Sequence, residues 1–286
     1  MKIGIVGLGL IGGSVARAAR RAGWTVYATD LRDVPLSDAQ HDGVIESVTN
    51  FEKWVEDVEA VVITVPPRLV PEWIRRVGET LRPLAVVEMT SVKAPLIPYL
   101  EQLPKDFAVL SLHPMAGREV QGYQNSDADL FVGHPCAIVD IPGRLVPSAI
   151  ARSFVSMMGS HPEFLTVAQH DQIVALTSHL PYLASAAILA TIDGAGTNNP
   201  QWPQMVGTGF RDTTRVGASD PALWYDIISA NRPEVSRLFS RFADVARRWA
   251  DQIAVGDWPE ELHQVRAVRE RAFPVDTSGI DASDKE

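Results

Sequence analysis

The chain has 286 residues, 46% of them hydrophobic, enough to bury a large core in one big or two medium domains. Acidic residues outnumber basic ones 35 to 26, and the formal charge of -9 argues against a broad nucleic-acid or acidic-membrane surface. The one cysteine, Cys136, excludes an internal disulfide framework and a cysteine metal site, and suits a reducing compartment.

The chain opens directly on an apolar strand, Lys2 to Val6, with no basic region, apolar core or cleavage site of a signal peptide. No run reads as long and apolar enough to span a membrane, so a soluble cytoplasmic protein with no membrane partner is expected. Gly7, Gly9 and Gly12 follow in G-x-G-x-x-G spacing, then a helix over Val15 to Ala22 and a second strand, Thr25 to Thr29. The first glycine suits a tight turn, the second a close backbone approach to a pyrophosphate, and the third helix–strand packing. Asp30 lies eighteen residues beyond Gly12, where an acidic side chain accepts from a ribose 2'-hydroxyl and repels a 2'-phosphate. Arg32 sits two residues on, placed to stack on adenine or tolerate phosphate. The cofactor expected is NAD, with Gly7, Gly9, Leu10, Ile11, Gly12, Asp30, Arg32, Val65 and Pro66 as its candidate contacts.

The alternation continues. Ala60 to Val65 is a strand closed by Pro66 and Pro67, Val70 to Leu81 an amphipathic helix, and Ala85 to Met89 a strand leading into Thr90-Ser91-Val92-Lys93. A short helix is expected at Ala94 to Leu100, then a strand from Ala108 that ends at His113-Pro114, because proline cannot continue a central ladder. Strands separated by helices imply a doubly wound sheet, in which ligands bind beyond the carboxyl ends of the strands. Ser91 and His113 fall on that rim, where a hydroxyl and an imidazole can share a substrate oxygen. Ser91 equally suits a helix N-cap, and Lys93 a structural or rim charge. A loop leads to a final strand, Cys136 to Val139. A helix from Pro147 to Met158, a hinge-like Gly159 to Pro162 and a short extended piece close the first domain, residues 1–162.

From Val167 the period changes. Val167 to Ile192 reads as one apolar helix, bent near Pro181, with polar insertions at His170-Asp171, Thr177-Ser178-His179 and Tyr182. Such groups need partners, whether another helix, a subunit or a ligand. Arg211, Asp212 and Arg215 cluster in a glycine-rich segment ahead of an Asp220-Pro221 helix start, and an Arg held by an Asp is a preorganised fork for a carboxylate. An interdomain salt bridge is the other reading of the cluster. An amphipathic helix over Val235 to Ile253 and a charged one over Leu262 to Ala272 complete an all-α domain, residues 163–273, with a polar, disordered tail at 274–286. No histidine spacing supports a metal site.

The motifs GLGLIGGS, SVK, HPMAG-x-E, HD…SHLP and FRD-x-TR…SDP-x-LW, in this order over roughly residues 1 to 273, resemble the prephenate/arogenate dehydrogenase family. The resemblance implies a Rossmann-type nucleotide-binding domain followed by an all-α substrate and dimerisation domain. It implies a homodimer that oxidatively decarboxylates a cyclohexadienyl acid in tyrosine biosynthesis, with NAD taking the hydride. In that likeness His113 accepts the ring hydroxyl proton, and Ser91 holds the same oxygen or orients the His. Arg215 binds a substrate carboxylate, with Asp212 and Glu119 in the charge network that positions it, and His179 and Tyr182 line the substrate. Tyr182 stands where the family often has a histidine. Arg118 stands where threonine is common, adding a second cationic contact. HPMAG-x-E with Glu119 resembles the prephenate-using branch and puts prephenate first, while the Tyr182 exchange leaves arogenate open. An amino-substituted prephenate is a further alternative, and a non-catalytic NAD-sensing dimer the alternative of another class.

Overall fold

A computed structural model describes residues 1–47, 49–118, 120–144, 146–194 and 201–273. Its centre is a seven-stranded sheet in the order β2-β1-β3-β4-β5-β6-β7. The strands are β1 (Lys2–Val6), β2 (Thr25–Thr29), β3 (Ala60–Ile63), β4 (Ala85–Glu88), β5 (Ala108–Pro114), β6 (Pro135–Asp140) and β7 (His161–Thr166). Helices α1 (Leu10–Arg21), α2 (Asp33–His41), α3 (Phe51–Trp54), α4 (Val70–Gly78), α5 (Ile97–Gln102) and α6 (Ser148–Met158) lie between them.

Alternate residues of each central strand enter opposite cores, as the two-residue strand period requires. Ala60, Val62, Ala85, Val87, Leu110 and Leu112 pack with α1 and α6. Val61, Ile63, Val86 and Val109 pack with α4 and α5. Burial on both faces accounts for the near-continuous apolar runs.

Strands β1 to β5 are parallel, but β6 runs antiparallel to β5. Among its described residues the β5–β6 connection contains a short 3-10 turn, Tyr123–Asn125, and no crossover helix long enough to return the chain to the same end. Helix α6 supplies that crossover next, so β7 pairs parallel to β6. The hinge-like segment expected at residues 159–162 thus runs directly into an edge strand. Strand β5 also continues through His113 and Pro114. Its register with β4 ends at Ser111, so these two residues pair only with β6, and the proline occupies a local edge where its missing N–H costs nothing.

After β7 come α7 (Val167–Val174), a π-helical turn Ala175–His179, and α8 (Leu180–Gly194). Thr166 caps α7 in a reciprocal box with Gln169. The irregularity expected at Pro181 lies one turn earlier, because a helical proline clashes with the carbonyl four residues before it. Val167–Asp193 is 27 residues long, with a most apolar window of mean hydropathy 1.6, so by length and composition it is able to cross a membrane. This corrects the expectation that no run would be. Its polar residues gather in the first half and leave the second almost wholly apolar.

Then follow α9 (Thr208–Thr214), α10 (Pro221–Ala230), α11 (Arg232–Ala254) and α12 (Val265–Ala272). The glycine-rich segment carrying Arg211 and Asp212 forms α9, since its glycines fall only at the N-terminal end. Asp220 caps α10 by accepting from the Ala222 amide, with Pro221 in the first turn as expected. By packing, the chain divides into compact units Met1–Ser236 and Arg237–Glu286. The expected 162/163 boundary is therefore not a break in packing, because α7 is hydrogen-bonded to the sheet rim. The tail at 274–286 lies outside the described residues.

Candidate active site

The strand order reverses between β1 and β3, and the glycine loop crosses the carboxyl ends of both. Gly7 has φ +96°, a left-handed conformation that favours glycine. A Cβ on Gly12 would lie 1.9 Å from the Gly7 carbonyl oxygen, while one on Gly9 would meet nothing within 4 Å. The third glycine therefore serves packing, and the second leaves open space at the start of α1, whose first turn has no side-chain cap. Those features fit a dinucleotide pyrophosphate at the helix N-terminus. Asp30 ends β2 as expected. Its Oδ2 accepts from the Leu8 amide at 2.7 Å, and Oδ1 from the Arg32 amide at 2.9 Å. The Arg32 side chain leans back on Asp30 at 3.2 Å but stays 63% exposed. Leu10, Ile11 and Val65 are half-buried and Pro66 is exposed around the same crevice mouth.

At the next rim position, β4 and β5 are bound together by a buried ion pair. Lys93 Nζ donates to Glu88 Oε1 and to the Leu112 carbonyl, each at 2.8 Å, and both charged side chains are fully buried. Ser111 and Thr90 donate to the same Glu88 carboxylate. Burial lowers the Lys93 pKa, and Glu88 opposes it. Lys93 is thus an internal strut at the base of the rim. Its network fixes the turn carrying Ser91 and the strand end carrying His113.

Helix α7 docks on that turn. The Asp171 carboxylate accepts from the Lys93 amide at 2.9 Å and the Ala94 amide at 2.8 Å. It also lies 2.7 Å from His170 Nδ1, and His170 Nε2 lies 2.9 Å from His113 Nδ1. Burial raises the Asp171 pKa, but the bonds from His170 and the two amides outweigh it and hold the carboxyl below its usual range. Burial pushes His113 well below the ordinary imidazole range, and Lys93, His170 and His179 push the same way. A half-buried imidazole kept neutral on a strand-end rim is suited to accept a proton.

Ser91 and His113 share the rim, but the orienting bond to His113 comes from His170, and the Ser91 hydroxyl has no partner among the described residues. His179 is buried in the π-turn and pushed down to about 4 by burial, with Asp171 opposing. Its Nδ1 lies 3.4 Å from Asn231 Nδ2, which also donates to the Asp171 carbonyl. Tyr182 stacks on Trp224 with centroids 3.9 Å apart and planes 4° from parallel. Burial raises the phenol's pKa, aided by Asp220.

Arg215 follows α9 and is exposed. Asp212 is exposed and makes no ion pair among the described residues, so the expected Arg–Asp fork is not formed. Arg118, read as a second cation, is held by Asp127 at 2.7 Å. Glu119 lies outside the described residues. Sequence reasoning assigned no role to His170, Asp171, Asn231 or Trp224. The available signal was the HD pair on an otherwise apolar helix.

Two family models match the chain in tandem: the prephenate dehydrogenase nucleotide-binding domain over residues 15–142, and the prephenate dehydrogenase dimerization domain over residues 166–267. This chain belongs to the prephenate dehydrogenase family. Its nucleotide-binding sheet and helical second half are those of the family. A cyclohexadienyl dehydrogenase of Zymomonas mobilis is 28% identical over 264 residues, 89% of each chain. Among solved structures, the Aquifex aeolicus prephenate dehydrogenase in complex with hydroxyphenyl propionate and NAD+ matches with a TM-score of 0.85 and 26% identity. That match covers 96% of this chain and 98% of the other. Synechocystis arogenate dehydrogenase matches with a TM-score of 0.78 and 28% identity, over 95% and 100% of the two chains.

Proposed function

We propose that this dehydrogenase converts prephenate to 4-hydroxyphenylpyruvate, with His113 as the catalytic base. The observation that carries the reading is His113 itself: a neutral imidazole at the end of β5, held through Nδ1 by His170, with its other nitrogen left for a substrate hydroxyl. Ser91, past the end of parallel β4, is assigned to the same oxygen. Arg215 is assigned to a substrate carboxylate, and His179 and Tyr182 to the substrate wall. NAD+, held by Gly7, Gly9, Leu10, Ile11, Gly12, Asp30, Arg32, Val65 and Pro66, supplies the hydride acceptor. As His113 takes the hydroxyl proton and the hydride leaves ring C4, the oxygen becomes carbonyl-like. The C1 carboxylate leaves as CO2, its bonding electron pair passes through the ring to that oxygen, and the oxygen regains a proton to end as a phenol. Aromatisation drives the step, so orientation and charge placement are the protein's main contributions. Residues 1–162 form the cofactor-binding part in this reading, and residues 163–273 the substrate and dimerisation part.

A second reading, arogenate or both substrates, is favoured by Tyr182. The two compounds differ only in a keto-acid or amino-acid side chain, and a neutral phenol influenced by Asp220 tolerates an ammonium where an imidazolium repels it. NADH formation with each substrate tests both readings, in the native protein and in Tyr182→His. Prephenate should give the higher kcat/KM, and the histidine should widen that gap most at low pH. His113→Asn should lower kcat about a hundredfold or more. Because burial depresses the His113 pKa, native turnover should persist at pH 6.5 and fail only as the pH drops through that lowered value. Near-native turnover in the asparagine variant removes His113 as base, and no turnover with either compound leaves the NAD-sensing alternative.

A further inference from the structure

A base on this rim needs a bare Nε2, yet an isolated histidine side chain favours the tautomer protonated there. Which nitrogen carries the proton is set by the hydrogen bond that the other makes. The chain of contacts behind His113 fixes this, starting from the backbone. The amides of Lys93 and Ala94 can only donate, and both point at the Asp171 carboxylate. An ionised carboxylate only accepts, so His170 Nδ1, 2.7 Å away, carries a proton. In the neutral ring that leaves a lone pair on His170 Nε2. His113 Nδ1, 2.9 Å from it, must then be the donor.

We propose that Asp171 and His170 are positioning residues that hold His113 in its Nδ1–H tautomer, with Nε2 bare and directed to the substrate hydroxyl. The inference rests on the reading of His113 as base. His170 is fully buried, so its ring is held in one geometry and water does not compete for either nitrogen. The π-helical turn begins four residues after Asp171, and Asn231 fixes the helix there through the Asp171 carbonyl. His170→Phe removes the acceptor for His113 Nδ1, so His113 reverts to the tautomer protonated at Nε2, which places a proton on the catalytic nitrogen.

The full chain has seven histidines, few enough to assign one by one with ¹⁵N-labelled rings. Two-bond ¹⁵N–¹H spectra at pH 8, without substrate, should find native His113 protonated at Nδ1. They should find it protonated at Nε2 in His170→Phe. In that variant kcat should fall about a hundredfold or more while the KM for NAD+ changes by less than about twofold. An Nε2–H tautomer in the native protein overturns the proposal, as does a His170→Phe variant that keeps the native tautomer or native turnover. Should His170→Phe fail to fold, the smaller His170→Leu carries both measurements. The tautomer is read without substrate, so a native protein inert toward prephenate and arogenate defeats the functional reading and leaves the relay to be judged from the spectra.

Discussion

Asp30 holds the Leu8 amide with one carboxylate oxygen and the Arg32 amide with the other, so a residue read as a ribose acceptor also braces the glycine loop. Its remaining lone pairs suit a 2'-hydroxyl, and its charge repels a 2'-phosphate. Asp30→Ser should therefore lower the kcat/KM ratio of NAD+ over NADP+ by at least about tenfold, and raise the KM for NAD+ as the loop loosens. A native protein that uses NADP+ as readily as NAD+ would show that the exposed Arg32 governs this end of the crevice. The places of Asp30 and His113 at strand ends were legible because a local rule, a polar residue at the end of an apolar strand, locates each without knowledge of its neighbours. The partners of His113 were not. His170 lies 57 residues on, and the Glu88–Lys93 pair looks in sequence like a rim charge beside a strand, because nothing local records that both side chains are buried.

Among the elements, the short turn after α9 has a tight demand. A Cβ on Gly217 would lie 2.6 Å from both the Ala186 amide nitrogen and the Ser185 hydroxyl, and the Gly217 amide donates to that hydroxyl at 2.8 Å. Backbone cannot give way as a flexible side chain does. Gly217→Ala should lift the turn from α8 and displace neighbouring Arg215, at a stability cost of about 1–3 kcal/mol. The KM for the cyclohexadienyl substrate should rise while the KM for NAD+ stays unchanged, with thermal unfolding as the parallel measure. Unchanged substrate KM would separate Arg215 from this turn. Regular elements followed from periodicity: the parallel strands, α10 with its Asp220 cap and Pro221, and the long helix α11 all lie close to where the pattern predicts. The exceptions follow from tertiary context. The antiparallel β6 is set by what its connection lacks, and the length of β5 by which neighbour it retains at Pro114.

On the scale of the whole molecule, the apolar run Val167–Asp193 needs a cover that the single chain does not supply. Only 28% of its most apolar window is buried within the chain, and Ile173 and Leu176 are 39% and 51% exposed. A lipid bilayer and a second copy of the chain are the two candidate covers. The first half of the helix decides between them. Asp171 accepts from the Lys93 and Ala94 amides, His170 meets His113, and Asn231 holds the Asp171 carbonyl, so this end is committed to the sheet rim. A bilayer would strand these polar groups in hydrocarbon, whereas a partner helix covers the apolar face and leaves them in place. Residues 166–267 also match a dimerization-domain model. The protein should therefore sediment as a homodimer at micromolar concentration, and its Tm should rise with protein concentration, since association stabilises the folded chain by mass action. Leu176→Glu, which puts a charge on the exposed face, should shift the sedimentation towards monomer and remove the concentration dependence. A native protein that is monomeric throughout, or that partitions onto phosphatidylcholine vesicles, would mean that the helix is covered by something other than its own copy.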